Sequence, residues 1–122
     1  ALPPATLAET ALDIKTKMRL PGLRVYGDPA RTLSKFALGI GFWGQLDDVR
    51  AVLALGAECL VAGETCEWQA VSYARDAGLA VIAAGHRASE NPGLRNLADY
   101  LRERLDGVPV AFLEGGEECS YL

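Results

Sequence analysis

The chain has 122 residues, half of them apolar and 23% charged, which is the length and composition of one globular domain. Its formal net charge of -4 and its scattered basic residues argue against nucleic-acid binding, which requires a basic surface that neutralises phosphates. No apolar run approaches the roughly 20 residues that a membrane-spanning helix needs. We therefore expect a protein that binds neither nucleic acid nor membrane.

Three cysteines are present, Cys59, Cys66 and Cys119, and no Cys-x-x-Cys pair occurs. This pattern argues against a disulfide framework or a cysteine-built zinc site, and reduced thiols indicate a cytoplasmic protein. Cys59 lies in an apolar run and is interpreted as a core residue. A catalytic role for Cys66 is disfavoured, because the chain has no second histidine with which it could pair.

The first predicted element is a helix. Residues Thr6-Leu7-Ala8-Glu9 have the pattern of a capping box, and Pro21-Gly22 ends the helix. A short strand is expected at residues 23–26, before the turn residues Gly27-Asp28-Pro29.

Strands and helices then alternate along the chain. Strands are expected at residues 35–40, 58–62, 79–84 and 108–113. Helices are expected to open at Asp47-Asp48, to span residues 67–76, and to begin at Pro92 with four leucines facing inward: Leu94, Leu97, Leu101 and Leu105. This alternation predicts a single α/β domain over residues 1–122, with a mostly parallel sheet flanked by helices.

Three glycine-bearing polar segments follow predicted strands, at residues 39–44, 63–64 and 85–90. Ligands of open parallel sheets gather at this edge, so we expect a site there. In the third segment His86, the only histidine, is followed four residues later by Glu90. An imidazole nitrogen and a carboxylate oxygen suit zinc, iron or manganese. On spacing alone, however, a structural histidine and a helix-capping glutamate are the favoured interpretation.

The first of these segments has glycines spaced as in a dinucleotide-binding fingerprint, at Gly39, Gly41 and Gly44. This spacing is compatible with a small phosphorylated or nucleotide-like ligand cradled by backbone amides. Phe42 and Trp43 are bulky for close approach to a pyrophosphate, so a tight turn is the favoured interpretation. In that case the aromatic rings of this loop would pack against a partner or cover a pocket.

Glu64 and Trp68 flank the start of the predicted helix at residues 67–76. Glu64 is interpreted either as a helix cap, which is favoured, or as a carboxylate that orients a metal ligand. Trp68, like Trp43, fits either an oligomer interface or the core.

Several segments together resemble the Nif-three-like family, whose members are often called GTP cyclohydrolase type 2 homologues. They are Leu-Val-Ala-Gly-Glu at residues 60–64, the stretch from Gly78 to Gly85-His86, and Ser-Glu-Asn-Pro-Gly at residues 89–93. Residues 25–29 and the glycines after Ile40 also resemble the second half of that family. The resemblance covers nearly the whole chain.

The resemblance implies a Nif-three-like lobe of a homo-oligomeric protein that carries two divalent metals between two similar lobes. It also implies that His86 and Glu90 are metal ligands. The remaining ligands of the family come from its first half, which has no counterpart in this chain. Three hypotheses follow: the chain belongs to a longer protein, a partner supplies the missing ligands, or the site has decayed.

Two functions are consistent with these observations. The first is a metal-dependent hydrolase of unknown substrate, in which His86 and Glu90 form part of a divalent-metal site completed elsewhere and Glu64 supports them. The alternative is a non-catalytic oligomeric assembly or protein-interaction module that keeps the fold with a degenerate metal site. The missing ligands and the bulky Phe42-Trp43 pair favour this alternative.

Overall fold

The computed structural model describes residues 3–115, so Cys119 lies outside the described part of the chain. Within these residues there are six strands: β1 (Ala5–Thr6), β2 (Arg24–Tyr26), β3 (Thr32–Leu33), β4 (Phe36–Phe42), β5 (Cys59–Glu64) and β6 (Ala80–Ala83). Four of them form one sheet in the order β2-β6-β5-β4. Strands β4, β5 and β6 run parallel, whereas β2 is antiparallel to β6. Strands β1 and β3 form a separate antiparallel pair.

The helices of residues 3–115 are α1 (Leu7–Lys17), α2 (Leu46–Ala54), α3 (Ser72–Asp76) and α4 (His86–Arg102), and a π-helical turn (Glu67–Val71) leads into α3. The predicted capping box of α1 is confirmed: the Glu9 amide donates to Thr6 Oγ1, and the Thr6 amide donates to the Glu9 carboxylate. None of the helices described here has the length and apolar character required to cross a membrane.

Helices cover both faces of the main sheet. On one face α2, the π turn and α3 pack against the cluster Val49, Val52, Leu60, Ala62, Ala70, Ala74 and Val81. On the other face α1 packs against the cluster Leu7, Ala11, Leu33, Cys59, Ala80 and Ile82. Successive residues of β5 point to opposite faces, which is the pattern of a strand buried on both sides. The predicted α/β class with a mostly parallel sheet is confirmed.

The last helix begins earlier than predicted. It starts at His86, directly after Gly85, and Pro92 lies inside it rather than at its first turn. Gly85 adopts a φ of +106°, which turns the chain straight from β6 into α4. Proline inside a helix removes one backbone hydrogen bond, which destabilises the helix. Contacts between the first turn of α4 and the sheet offset this loss of stability. The prediction that Glu90 precedes the helix was therefore wrong.

The inward face of α4 also differs from the prediction. Ala98 is the buried residue of this helix and Leu101 is partly buried, whereas Leu94 and Leu97 are exposed. Leu105 is exposed and lies beyond the end of the helix at Arg102. Helix α4 contacts β4 and β5, and Ser89 near its start bonds to Gly41 of β4.

Residues 108–113 do not form the predicted final strand. This segment runs back along α4 instead, because arginines of that helix hold it. Arg102 Nε donates to the Val110 carbonyl at 2.9 Å, and the Arg95 guanidinium lies 5.0 Å from the Phe112 ring centroid. This apolar segment therefore packs along a helix and not at a sheet edge.

Candidate metal centre

The carboxyl ends of β5 and β6 are tied together where the candidate residues lie. The Gly85 amide donates to the Gly63 carbonyl at 2.7 Å, which fixes the start of α4 beside the end of β5. His86, in the first turn of α4, is therefore brought next to Glu64, the last residue of β5. The predicted gathering of polar residues beyond the strand ends is observed in the structure.

His86 lies between two carboxylates. Its Nδ1 is 3.0 Å from Glu64 Oε2, and its Nε2 is 3.2 Å from Glu90 Oε1. All three side chains are roughly half exposed. The two ring nitrogens point away from each other, so the two carboxylates lie at opposite edges of the imidazole and do not converge on one point.

The carboxylates determine the protonation of the ring. A carboxylate cannot donate, so Nδ1 carries a proton and donates it to Glu64. This hydrogen bond, together with the negative charge of Glu90, raises the pKa of the His86 imidazole above its ordinary value. By the same argument Nε2, when it is protonated, donates to Glu90, so an ion bound at Nε2 would displace that proton. A ring held through Nδ1–H by a carboxylate is the usual arrangement of a metal-binding histidine.

Gly41 leaves the space that Glu90 and His86 occupy. A Cβ at this position would lie 2.8 Å from Glu90 Oε1 and 3.4 Å from His86 Nε2. Gly41 also has a φ of +74°, a conformation that residues with a side chain rarely adopt. The close approach of β4 to α4 therefore requires glycine here.

Ser89 fastens α4 to the sheet, a role that the sequence analysis missed. Its Oγ accepts a hydrogen bond from the Gly41 amide at 3.0 Å and donates to the His86 carbonyl at 2.7 Å. A Cβ at Gly63 would lie 2.3 Å from the same Oγ, so this glycine makes room for it. The signal available in the sequence was the serine that directly precedes Glu90.

The glycine-rich segment is not the loop that the sequence predicts, because Gly41 and Phe42 are the last two residues of strand β4. Each glycine is matched to a neighbouring side chain: a Cβ at Gly39 would meet the Trp43 ring, and a Cβ at Gly44 would meet the Phe42 ring. With the Gly41 amide bound to Ser89, the spacing reflects side-chain packing and gives no support to a phosphate cradle on the backbone.

The two tryptophans differ in environment. Trp43 packs against the core cluster that contains Val49 and Leu60, whereas Trp68 is 85% exposed. Of the thiols, Cys59 is fully buried and burial raises its pKa to about 12, so the predicted core role is confirmed. Cys66 is buried as well.

The residues present fit part of a metal site. Two ligand atoms bound to one tetrahedral ion at bond lengths near 2.0 Å are separated by about 3.3 Å, and Nε2 of His86 and Oε1 of Glu90 are 3.2 Å apart. Residues 3–115 contain no group of three or more histidine, cysteine, aspartate or glutamate side chains that could hold an ion. This part of the chain therefore offers two donors and leaves the coordination shell incomplete.

A cavity of about 370 Å³ opens beside His86. Its walls are residues 20–24 on one side and the ends of β5 and β6 with the start of α4 on the other. Arg24 lies in this wall because β2 is antiparallel to β6, which places its first residue opposite Ala83 at the carboxyl end of β6. The cavity gives a small molecule access to the side of the cluster that carries Glu64.

Comparison with known proteins identifies the family. Residues 2–117 match the model of the Duf34/NIF3 family, NGG1p interacting factor 3. The chain belongs to this family. Among curated Duf34/NIF3-like relatives, a protein from Pseudomonas aeruginosa called GTP cyclohydrolase 1 type 2 homolog is 38% identical over 71% of this chain and 32% of its own length. A protein of the same name from Allochromatium vinosum is 32% identical over 91% of this chain and 42% of its own length.

Solved structures share the Duf34/NIF3 fold. The protein ybgI, of unknown function, superimposes with a TM-score of 0.78 at 27% identity, over 96% of this chain and 46% of that one. Reduced HcgD from Methanocaldococcus jannaschii gives a TM-score of 0.62 at 23% identity, over 83% of this chain and 40% of that one. The chain thus spans less than half the length of these relatives.

Proposed function

We propose that this chain is the metal-binding lobe of a Nif-three-like hydrolase that acts on a small phosphorylated or nucleotide-like compound. His86 Nε2 and Glu90 would be two ligands of a divalent ion, zinc, iron or manganese. The remaining ligands would come from outside residues 3–115. The observation that carries the proposal is the 3.2 Å separation of these two donor atoms, with the Nδ1 side of the same ring bound to Glu64.

Glu64 and Ser89 would position the two ligands. Glu64 would hold the imidazole with Nδ1 protonated, so that Nε2 faces the ion, and Ser89 would keep α4 against β4 so that Glu90 stays beside that nitrogen. A divalent ion held there would act as a Lewis acid that activates water for hydrolysis. The cavity beside His86 would admit the substrate.

We also propose a cytoplasmic homo-oligomer. The free, buried thiols of Cys59 and Cys66 are typical of a reducing compartment. Exposed apolar side chains on β4 and α4 support association between copies.

Zinc titration followed by NMR tests the metal site, because the single histidine of the chain gives one set of imidazole signals. We expect zinc to shift the His86 ring signals of the wild-type protein, and Glu90→Gln to weaken this binding by roughly tenfold or more. Glu103→Gln, a matched change at the other end of α4, should leave it intact. His86 signals that do not respond to zinc would contradict the proposal.

A second candidate function is a non-catalytic assembly or protein-interaction module with a degenerate metal site. It is favoured by the lack of a group of three potential ligand residues within residues 3–115. It predicts that copies of the chain associate without metal, which light scattering of the metal-free protein measures.

A further inference from the structure

A second cavity, of about 380 Å³, adjoins the candidate metal centre and shares Arg24 and Glu64 with the first. We call it the aromatic cavity, because Phe42 and Trp68 both line it. Two amide side chains, Gln45 and Gln69, are also in its lining. The rings, the amides and the Arg24 guanidinium share this lining with two carboxylates, Glu64 and Glu67, and Arg24 is paired with Glu67.

A bulge in β4 brings Phe42 to this cavity. Gly39 pairs with Ala62 and Phe42 with Glu64, so β4 uses three steps where β5 uses two. Gly41, with its φ of +74°, absorbs the additional residue. In a regular ladder Phe42 would point to the sheet face opposite Glu64, whereas the bulge places the two on the same side.

The Phe42 ring is held in position from beneath. A Cβ at Gly44 would lie 2.2 Å from Phe42 Cζ and 3.0 Å from the Cβ of Cys66, so the ring occupies the space that a side chain would need. Despite this contact Phe42 remains about half exposed toward the cavity.

Trp68 stands on the π turn that follows Cys66. An indole that is 85% exposed leaves a large apolar surface in water. Single π turns of this kind occur frequently at functional sites, because the additional residue redirects the neighbouring side chains. The turn carries both Trp68 and Glu67 to the cavity wall.

Arg24 is fixed at the junction of the two cavities. Its Nη1 donates to Glu67 Oε1 at 2.8 Å, and the Tyr26 hydroxyl donates to the same oxygen at 2.7 Å. Within residues 3–115 no other acceptor is found for the guanidinium. An arginine positioned in this way keeps further N–H groups for an oxyanion, which it binds in a bidentate manner.

We propose that the aromatic cavity binds a planar heteroaromatic ring that bears an oxyanion group. The ring stacks on Trp68 and Phe42, the amides of Gln45 and Gln69 meet its polar edge, and Arg24 binds the oxyanion. The assignment of this ligand as the substrate rests on the proposed function, while its binding does not.

Calorimetric titration with nucleoside monophosphates tests the inference, with GMP, AMP and CMP as the panel. Guanosine and ribose 5-phosphate serve as the two halves of GMP. We expect at least one nucleotide to bind more tightly than either half. Trp68→Ala should weaken nucleotide and nucleoside binding about tenfold and spare ribose 5-phosphate, since a stacked base is lost. Arg24→Gln should weaken nucleotide and ribose 5-phosphate and spare guanosine.

Two control variants accompany these. Tyr100→Ala removes another exposed aromatic ring, on α4, and Arg50→Gln removes another exposed arginine, on α2; both should bind as the wild type does. Absence of binding by the whole panel overturns the inference, and so does an equal loss in the controls. All titrations are run with chelator and with zinc. Zinc binding at His86 without nucleotide binding overturns only this inference, and the reverse result overturns only the proposed metal site.

Discussion

At the scale of single residues, the candidate site depends on glycines as much as on its ionisable groups. Gly41 and Gly63 allow β4, β5 and α4 to approach until Glu90 and Ser89 occupy the space of the missing side chains. The positions of the candidate metal ligands therefore depend partly on glycines that supply no ligand atom. Substitution of such a glycine should disturb the site without removal of a ligand.

Gly41→Ala tests this dependence, and Gly78→Ala is its matched control. Both glycines have a φ of +74°, but a Cβ at Gly78 meets nothing within 4 Å. We expect both variants to lose about 1–2 kcal/mol of unfolding free energy from the left-handed backbone, measured by urea denaturation. Gly41→Ala alone should weaken the zinc response of His86. An equal response in both variants would show that the close approach is unimportant.

The fold was predictable at residues where local signals agree with tertiary contacts. The capping box at Thr6, the two acids that open α2, and the apolar run of β6 gave the correct elements. The proximity of His86 and Glu64 followed from the rule that parallel strands share a carboxyl edge. The role of Arg24 did not follow, because the antiparallel pairing of β2 is a tertiary choice that its three residues do not encode.

At the scale of secondary-structure elements, α4 shows how tertiary contacts override a local signal. Proline is typical of a first helical turn, so the sequence predicts a helix that begins at Pro92. The helix instead begins six residues earlier, where Gly85 bonds to Gly63 and Ser89 bonds to both Gly41 and His86. This earlier start puts His86 and Glu90 on one helical face, four residues apart, and so creates the pair of donors.

Ser89→Ala should loosen this attachment of α4. The substitution removes the acceptor of the buried Gly41 amide, which we expect to destabilise the protein by about 1–3 kcal/mol. Hydrogen exchange of the Gly41 amide, followed by NMR, should become faster. The control is Ser72→Ala, which removes a hydrogen bond from a serine hydroxyl to the Glu67 carbonyl and should leave Gly41 exchange unchanged. Unaltered exchange in Ser89→Ala would contradict this attachment.

At the scale of the whole molecule, one side of the edge strand β4 is apolar and open. Leu38 and Ile40 are 72% and 60% exposed, and they point away from the cluster that contains Trp43. An exposed edge strand with such a surface favours association with another chain. Both candidate functions include association, and only the hydrolase also requires metal.

Light scattering of wild-type protein and of a Leu38→Glu, Ile40→Glu double variant measures this association. We expect an oligomeric wild type and a smaller species for the variant, because buried charges without partners are costly at an interface. Leu12→Glu alters a comparably exposed leucine on α1 and should keep the wild-type mass. A monomeric wild type at all concentrations would exclude β4 as an interface between copies.

Because of the bulge in β4, the candidate metal ligands and the aromatic cavity depend on different features of the chain. His86 and Glu90 are carried by α4, so the chemistry of the centre depends on residue identity. Phe42 reaches its cavity because the bulge pairs it with Glu64, whereas a regular ladder of the same length would pair it with Thr65, so the selection of a ligand depends on the backbone path of β4. Straightening of this bulge at unchanged strand length would turn Phe42 to the other side of the sheet and leave both donors in the chain. The aromatic cavity can therefore be lost through the backbone of one strand while the sequence keeps His86 and Glu90.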